Sequence, residues 1–240
     1  MSRITFDTFF NGRLRVAQPV SGYRYSLDAI LLAALPHPKA GQSLLDLGTG
    51  CGIIPLILAF RHDEVVITGI EVQPELARLA AMNASNNGLQ DRIRIIHEDL
   101  RRLSLDMVDG PVDWVISNPP YRRAASGRIN PNSQRALARH EINVNLQQLI
   151  NAAKRLLKTG GRFAIIYPGE RAVDLLGEMR SAGLEPKWLQ GIHSQAGDTA
   201  KLVLVQGVMG GKPGLRIEAP LVIYEADGEY SGAVQAMMRP

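Results

Sequence analysis

The sequence predicts an α/β chain built on a doubly wound, seven-stranded, mostly parallel sheet. Three observations carry that expectation. From Ser43 onward, short β-branched or Leu-rich runs alternate with longer segments of helical pattern, the signature of parallel strands joined by crossover helices. A glycine-rich turn, Gly48-Thr49-Gly50-Cys51-Gly52, links the first of these strands to the first helix. Later helical segments stop at Gly88, at Gly160-Gly161 and at Gly183, as helix C-termini commonly do.

Taken in order, the predicted strands are Ser43–Leu47, Val65–Glu71, Ile93–His97, Val112–Ser117, Arg162–Tyr167, Pro186–Ile192 and Lys201–Gln206. The helices between them are Ile53–Phe60, Pro74–Asn87, Asn145–Lys158 and Glu170–Ala182. Pro55 falls in the first turn of its helix, where a missing N–H does no harm. A short loop separates the last two strands, so one of them is expected to run antiparallel near the sheet edge. Ahead of the core, residues 41–207, lies an extension over residues 1–40 with an apolar helix at Ala29–Leu35. Behind it, residues 208–240 form an arm. There Leu221-Val222-Ile223-Tyr224 reads as a strand before a turn at Asp227-Gly228 and a short helical end. The arm is expected to be a hairpin packed on the core. Neither appendage is long enough for a domain of its own, so the 240 residues are expected to form one domain.

Composition narrows the class. The single cysteine, Cys51, excludes an internal disulfide framework and a cysteine metal cluster. The longest apolar run, Ile53–Phe60, is too short to span a bilayer, and the first seven residues lack the apolar stretch of a secretory signal. A cytoplasmic protein is expected. The net charge of +4 and pI near 9.4 fit ordinary solubility or nucleic-acid affinity equally well. Distribution says more than the total. Between Tyr121 and His140 stand Arg122, Arg123, Arg128, Arg135 and Arg139, with no acidic residue. This basic segment reads either as a seat of nucleic-acid affinity or as a solvated loop.

The loop Leu45-Asp46-Leu47-Gly48-Thr49-Gly50-Cys51-Gly52 is where a ligand would meet the sheet. Glycine lets the backbone turn sharply and lets a ligand approach without a Cβ in the way, and the helix N-terminus beyond it offers N–H groups. The dinucleotide fingerprint Gly-x-Gly-x-x-Gly is shaped around a pyrophosphate. Here the spacing is Gly-x-Gly-x-Gly, with Asp46 two residues before the first glycine. A carboxylate at that position repels pyrophosphate and pairs with a cationic amino group. S-adenosylmethionine carries such a cation and no phosphate. Glu71 ends the second strand 19 residues after Gly52, where the carboxylate that binds both ribose hydroxyls is expected. Asp99-Leu100 follows the third strand, with Asp99 placed to accept an adenine amine and Leu100 to lie against the ring.

The fourth strand ends in Asn118-Pro119-Pro120-Tyr121. That sequence sets a side-chain amide oxygen, a carbonyl stiffened by a proline pair, and an aromatic ring at one sheet edge. An exocyclic amine or carboxamide nitrogen is a poor nucleophile because its lone pair is delocalised. If the Asn118 oxygen and the Pro119 carbonyl each accept one N–H, the nitrogen is drawn toward tetrahedral geometry and its lone pair faces the donor methyl. Tyr121 can stack on the target. Positioning and hydrogen bonds then suffice for catalysis, with no metal required. Cys51 has no histidine partner nearby in sequence and reads as structural. His140 reads as a loop or helix-start residue. In Tyr25-Ser26-Leu27-Asp28, Ser26 or Asp28 either caps the following helix or belongs to a lid over the cofactor.

These motifs resemble class I S-adenosylmethionine-dependent methyltransferases of the Asn-Pro-Pro-Tyr type, over roughly residues 20–207. More narrowly, the chain resembles the bacterial tRNA (adenine-N6)-methyltransferases that modify the adenosine beside the anticodon of a valine tRNA. Three stretches carry this: Tyr25-Ser26-Leu27-Asp28-Ala29-Ile30-Leu31-Leu32, Ala138-Arg139-His140-Glu141, and Leu221-Val222-Ile223-Tyr224 with Asp227-Gly228-Glu229-Tyr230-Ser231. The resemblance implies methyl transfer from S-adenosylmethionine to the exocyclic N6 of adenine in tRNA. It implies catalysis by Asn118, Pro119, Pro120 and Tyr121. The candidate cofactor contacts are Tyr25, Ser26, Asp46, Gly48, Thr49, Gly50, Gly52, Glu71, Val72, Asp99, Leu100 and Asn118, and those to RNA are Arg122, Arg123, Arg128 and Arg139. Two other classes use the same chemistry. A protein-glutamine N5-methyltransferase usually has a helical substrate domain ahead of its core, for which 40 residues are too few. A ribosomal RNA guanine-N2 methyltransferase is disfavoured by the lack of a duplicated domain.

Overall fold

Strands buried on both faces must be apolar throughout, and this requirement locates the centre of the sheet. The computed structural model describes residues 3–20, 24–120 and 145–239. The central strands are β3 (Ser43–Leu47), β4 (Val66–Glu71), β6 (Val112–Ser117) and β7 (Leu157–Pro168). Leu44, Leu45, Leu47, Ile67, Ile70, Val115, Ile116 and Phe163–Ile166 are all buried along them. Asp46 is the one charge inside β3, and it is fully buried. A carboxylate in such a strand marks a site.

The remaining sheet strands are β5 (Ile93–His97), β8 (Leu184–His193), β9 (Leu202–Met209) and the two-residue β10 (Arg216–Ile217) and β11 (Leu221–Val222). The order is β10-β8-β9-β7-β6-β3-β4-β5, with β11 also paired to β8. Seven core strands are therefore present, lengthened at one edge by two short additions from the C-terminal arm. All pairings are parallel except those of β9, which is antiparallel to β7 and β8. The antiparallel strand is thus one place in from β8, as its short loop requires.

Helices cover both faces. On one side lie α1 (Leu27–Ala33), α2 (Ile53–Arg61), the end of α3 (Pro74–Asn86) and α6 (Gly232–Met237), around Leu44, Ile57, Ile67, Ile116 and Ile166. On the other lie α4 (Leu146–Leu156) and α5 (Ala172–Ser181), around Leu45, Val115, Phe163 and Val205. Asn145 starts α4 with a capping box, accepting from the Gln148 N–H while the Gln148 side chain accepts from its own N–H. Strand order reverses between β3 and β6, and open α/β sheets bind ligands at the carboxyl ends of such a pair. No helix among the described residues is long and apolar enough to cross a membrane.

Several boundaries differ from expectation. The helix predicted to run to Lys158 ends at Leu156, because Leu157 is buried and pairs with Val112, so β7 begins there, before the glycine pair. The predicted helix at Glu170 opens with a 3-10 turn, Gly169–Arg171, and becomes α-helical at Ala172. The apolar helix of the extension starts two residues early, at Leu27, and ends at Ala33. In the arm, Leu221–Val222 extends the main sheet in parallel with β8, and Tyr224 bridges back to Tyr230 around the expected turn.

An N-terminal hairpin, β1 (Ile4–Phe9) and β2 (Leu14–Pro19), was not predicted. The signal was present: Asn11-Gly12 is a strong hairpin turn, and Phe10, Asn11 and Gly12 all take positive φ. The free edge of β2 is closed by a helix. The Asn83 side chain accepts from the Ala17 N–H and donates to the Ala17 carbonyl, both at 2.8 Å. Asn87 does the same for Arg15, at 2.9 and 2.7 Å. Four residues of helix rise about 6 Å and two of strand about 6.7 Å, so the pair matches the strand repeat. Asn83 also donates to the Cys51 carbonyl at 2.9 Å, tying the hairpin to the glycine loop. Asn83→Ala strands the Ala17 N–H in a buried setting and is expected to cost about 2–4 kcal/mol. Thermal unfolding checks this, and a loss below roughly 0.5 kcal/mol contradicts it.

Candidate active site

The carboxyl ends of β3, β4, β5 and β6 meet at one edge, and the glycine loop turns there under tight backbone control. The N–H groups of Gly48 and Thr49 both donate to the Ile70 carbonyl at 2.9 Å. Gly48, Gly50 and Gly52 have φ of 81°, 59° and 83°, a region that costs other residues roughly 1–2 kcal/mol. A Cβ at Gly48 would meet no protein atom within 4 Å, whereas one at Gly52 would press on Ala80 at 3.1 Å. The Gly48 side of the loop is therefore open to a ligand, and the Gly52 side is closed by helix packing. Gly69 on β4 makes room for Thr49, whose Oγ1 would lie 2.9 Å from a Cβ there.

Two carboxylates are buried beside this loop. Glu71 is 5% exposed and has one backbone donor on each oxygen, the N–H of Gly50 on Oε2 and of Gln73 on Oε1, both at 2.9 Å. Burial raises its pKa, opposed by these N–H groups and that of Val72. Each oxygen keeps a lone pair for a further donor. Asp46 is more exceptional. Neither of its oxygens has a hydrogen-bond partner among the described residues, and nor does the Thr49 hydroxyl. Burial pushes the Asp46 carboxyl up to about 7, with the Thr49 hydroxyl dipole opposing and the Glu71 charge reinforcing the rise.

A buried carboxylate without donors is costly unless a ligand supplies them. With the second buried carboxylate of Glu71 beside it, Asp46 disfavours a phosphate and calls for a cation or a set of N–H and O–H donors. The aminoacyl end and ribose of S-adenosylmethionine are of that kind, so the residues present fit the cofactor expected from the sequence. Among the described residues, no group of three or more His, Cys, Asp or Glu is arranged to hold a metal ion.

The other predicted residues are distributed as follows. Asp99 follows β5, but its carboxylate is engaged by Arg101, through the backbone N–H and guanidinium Nε at 2.9 Å and a further contact from Nη2. Arg101 holds it below the usual carboxylate range. A ligand amine there must share the carboxylate with Arg101. The Leu100 side chain packs partly against the core of the α4–α5 face, and the Val72 carbonyl contacts His97 Nε2 at 3.0 Å. Ser26 holds the N-cap position of α1, but its side chain makes no capping hydrogen bond, and Asp28 falls in the first turn. The Tyr25 hydroxyl donates to Asp7 at 2.7 Å, and its pKa is raised by burial and by that bond. Cys51 is buried and pushed up to about 12, mainly by burial, which suits a structural residue.

At the reacting edge, the Ser117 hydroxyl donates to the Leu47 carbonyl at 2.8 Å and joins the ends of β6 and β3. Asn118 and Pro119 follow, half-buried, and Pro120 is exposed. Tyr121, Arg122, Arg123, Arg128, Arg139 and His140 lie outside the described residues. A hollow of about 370 Å³ lies against Asp7, Tyr25, Ser26 and Tyr230 and includes no residue of the glycine loop.

Sequence reasoning missed Asp7, Gln18, Asn83 and Ser117, all polar groups whose partners are brought together only by the tertiary fold. The paired asparagines at i and i+4, Asn83 and Asn87, were the readable trace.

Comparison with known proteins adds independent findings. The family model described as methyltransferase small domain matches residues 27–173. A tRNA1(Val) (adenine(37)-N6)-methyltransferase of Porphyromonas gingivalis is 37% identical over 175 residues, covering 70% of this chain and 68% of that protein. One of the same name from Actinobacillus pleuropneumoniae serotype 7 is 30% identical, covering 98% and 94%. Among solved structures, a predicted O-methyltransferase of Agrobacterium tumefaciens superposes with a TM-score of 0.69 at 23% identity, over 88% of this chain and 94% of that one. A geranyl diphosphate C-methyltransferase of Streptomyces coelicolor gives 0.54 at 15% identity, over 75% and 78%. At these identities, the structural likeness speaks for the fold.

Proposed function

The chain belongs to the methyltransferase small domain family, and from that premise we propose that it transfers a methyl group from S-adenosylmethionine to the exocyclic N6 of an adenine in tRNA. The relatives named for that reaction at adenine 37 of a valine tRNA support the substrate. The observation that carries the chemistry is the buried Asp46 carboxylate, whose oxygens find no hydrogen-bond partner among the described residues, beside Glu71, at the switch point where β6 delivers Asn118-Pro119.

When bound, S-adenosylmethionine supplies an electrophilic methyl on a positively charged sulfur. Asp46 would pair with the amino group at its aminoacyl end, Glu71 would take the ribose hydroxyls, and Asp99 would share its carboxylate between Arg101 and the adenine amine. Asn118 Oδ1 and the Pro119 carbonyl accept the two N–H groups of the target amine and turn its lone pair out of conjugation. Tyr121 stacks on the target ring, and Arg122, Arg123, Arg128 and Arg139 hold phosphates. Holding the target nitrogen in place against the donor would supply the rate. A tRNA substrate places the enzyme in the cytoplasm.

The test is transfer of labelled methyl to total RNA and to total protein, followed by digestion. Label in N6-methyladenosine is expected. Label in N2-methylguanosine or in protein glutamine overturns the substrate.

A further inference from the structure

Four buried side-chain atoms lack a hydrogen-bond partner among the described residues: both oxygens of Asp46, the Thr49 hydroxyl and Oε1 of Gln18. The first three belong to the crevice already described. Gln18 comes from β2 of the N-terminal hairpin and is 1% exposed. Its orientation is fixed by chemistry. The Gln18 amide nitrogen donates to the Asp7 carboxylate, which can only accept. A flipped amide would set oxygen against oxygen. Oε1 is therefore turned away from Asp7 and left without a donor.

Asp7 is itself anchored. It accepts from the Tyr25 hydroxyl at 2.7 Å and lies 3.5 Å from the Arg24 guanidinium. Two links bring this cluster to the glycine loop. Ala17, the neighbour of Gln18, is clamped by Asn83, which also holds the Cys51 carbonyl. Cys51, buried in that loop, lies within electrostatic reach of both Asp46 and Asp7. Asp46, from the sheet, and the hairpin that carries Gln18 are thus both brought to the neighbourhood of Cys51 in the loop.

Three of the four orphan atoms are acceptors only, and the fourth is a hydroxyl that can accept. Their common missing partner is a group with several N–H donors and positive charge. We infer that Gln18 is a further ligand of the cofactor's α-ammonium group, opposite Asp46, and that Asp7 is a positioning residue that aims the Gln18 amide at it. The hairpin then forms a wall of the cofactor site. This rests on the reading that the crevice binds S-adenosylmethionine.

Two probes separate the roles. Adenosylhomocysteine carries the ammonium group, and 5′-methylthioadenosine has the same nucleoside without it. With the full chain, Gln18→Met keeps the side-chain length and removes the acceptor. It is expected to weaken adenosylhomocysteine about 10-fold or more, the range for a hydrogen bond to a charged group, and to change methylthioadenosine less than about 2-fold. Asp7→Ala leaves Gln18 in place without its anchor and is expected to give a smaller loss of the same selectivity. If Gln18→Met does not fold, the Asp7→Ala comparison decides alone. Equal weakening of both probes, or no change in either, overturns the inference while leaving the proposed function intact. If the unaltered chain binds neither probe, the cofactor reading itself fails.

Discussion

Asn118→Ala is expected to bind adenosylhomocysteine within about 2-fold of the unaltered chain while its methyl transfer to RNA falls about 10²–10³-fold, the range for losing one preorganised hydrogen-bonding group in a transition state. The two effects separate because Asn118 is the first residue past β6, whereas the cofactor's polar contacts are assigned to β3, β4 and β5 and to Gln18 on β2. The acceptor matters most when the nitrogen leaves planarity, since its N–H groups become more acidic as the new N–C bond forms. An interaction of this kind acts on turnover more than on ground-state affinity. Asn118→Asp keeps an acceptor oxygen and is expected to retain more turnover than the alanine variant. Single-turnover transfer beside calorimetric binding measures both quantities. Unchanged turnover in Asn118→Ala removes Asn118 from the mechanism.

The second large effect concerns Asp46. Its carboxyl is raised to about 7 in the folded chain by burial, while in the unfolded chain it titrates near 3.9. Between those values the folded chain holds a proton that the unfolded chain has lost. Stability of the ligand-free chain is therefore present at low pH and lost as pH rises through about 7, by roughly 4 kcal/mol in all. Glu71, also raised by burial, contributes with the same sign. Asp46→Asn removes the buried charge, so above pH 7 the ligand-free variant is expected to be more stable than the unaltered chain. Cofactor binding depends on pH in the opposite sense. A protonated Asp46 cannot pair with an ammonium group, so adenosylhomocysteine affinity rises about 10-fold per pH unit below 7 and levels above it. In Asp46→Asn that pH dependence disappears and affinity is lower at pH 8. Denaturant unfolding and calorimetry across pH 5.5–8.5 report both. A flat affinity profile for the unaltered chain contradicts the assignment of Asp46.

What the sequence disclosed follows from what local pattern can encode. β3, β5 and β6 were read to the residue because each is a short apolar run closed by a turn or a charge. Asp46, Glu71 and Asn118 stood out because a polar residue at the end of a buried strand has few structural uses. Other features are non-local. The Arg101 claim on Asp99 depends on a side chain folding back across two residues. The closure of β2 by Asn83 and Asn87 spans more than 60 residues. Gln18 looked like an ordinary polar residue in a terminal extension, and only burial without a partner distinguishes it. At the start of β7, burial of Leu157 outweighed the helix-stop signal of Gly160-Gly161.

The most direct measurement is a crystal structure of the chain with adenosylhomocysteine. The expected result is a ligand lying across the carboxyl ends of β3 and β4, its ammonium group beside Asp46 and its ribose on Glu71. Its sulfur would face Asn118, leaving room for a target nitrogen at a methyl distance of about 3–3.5 Å. A ligand bound elsewhere, or one whose sulfur turns away from Asn118, contradicts the account.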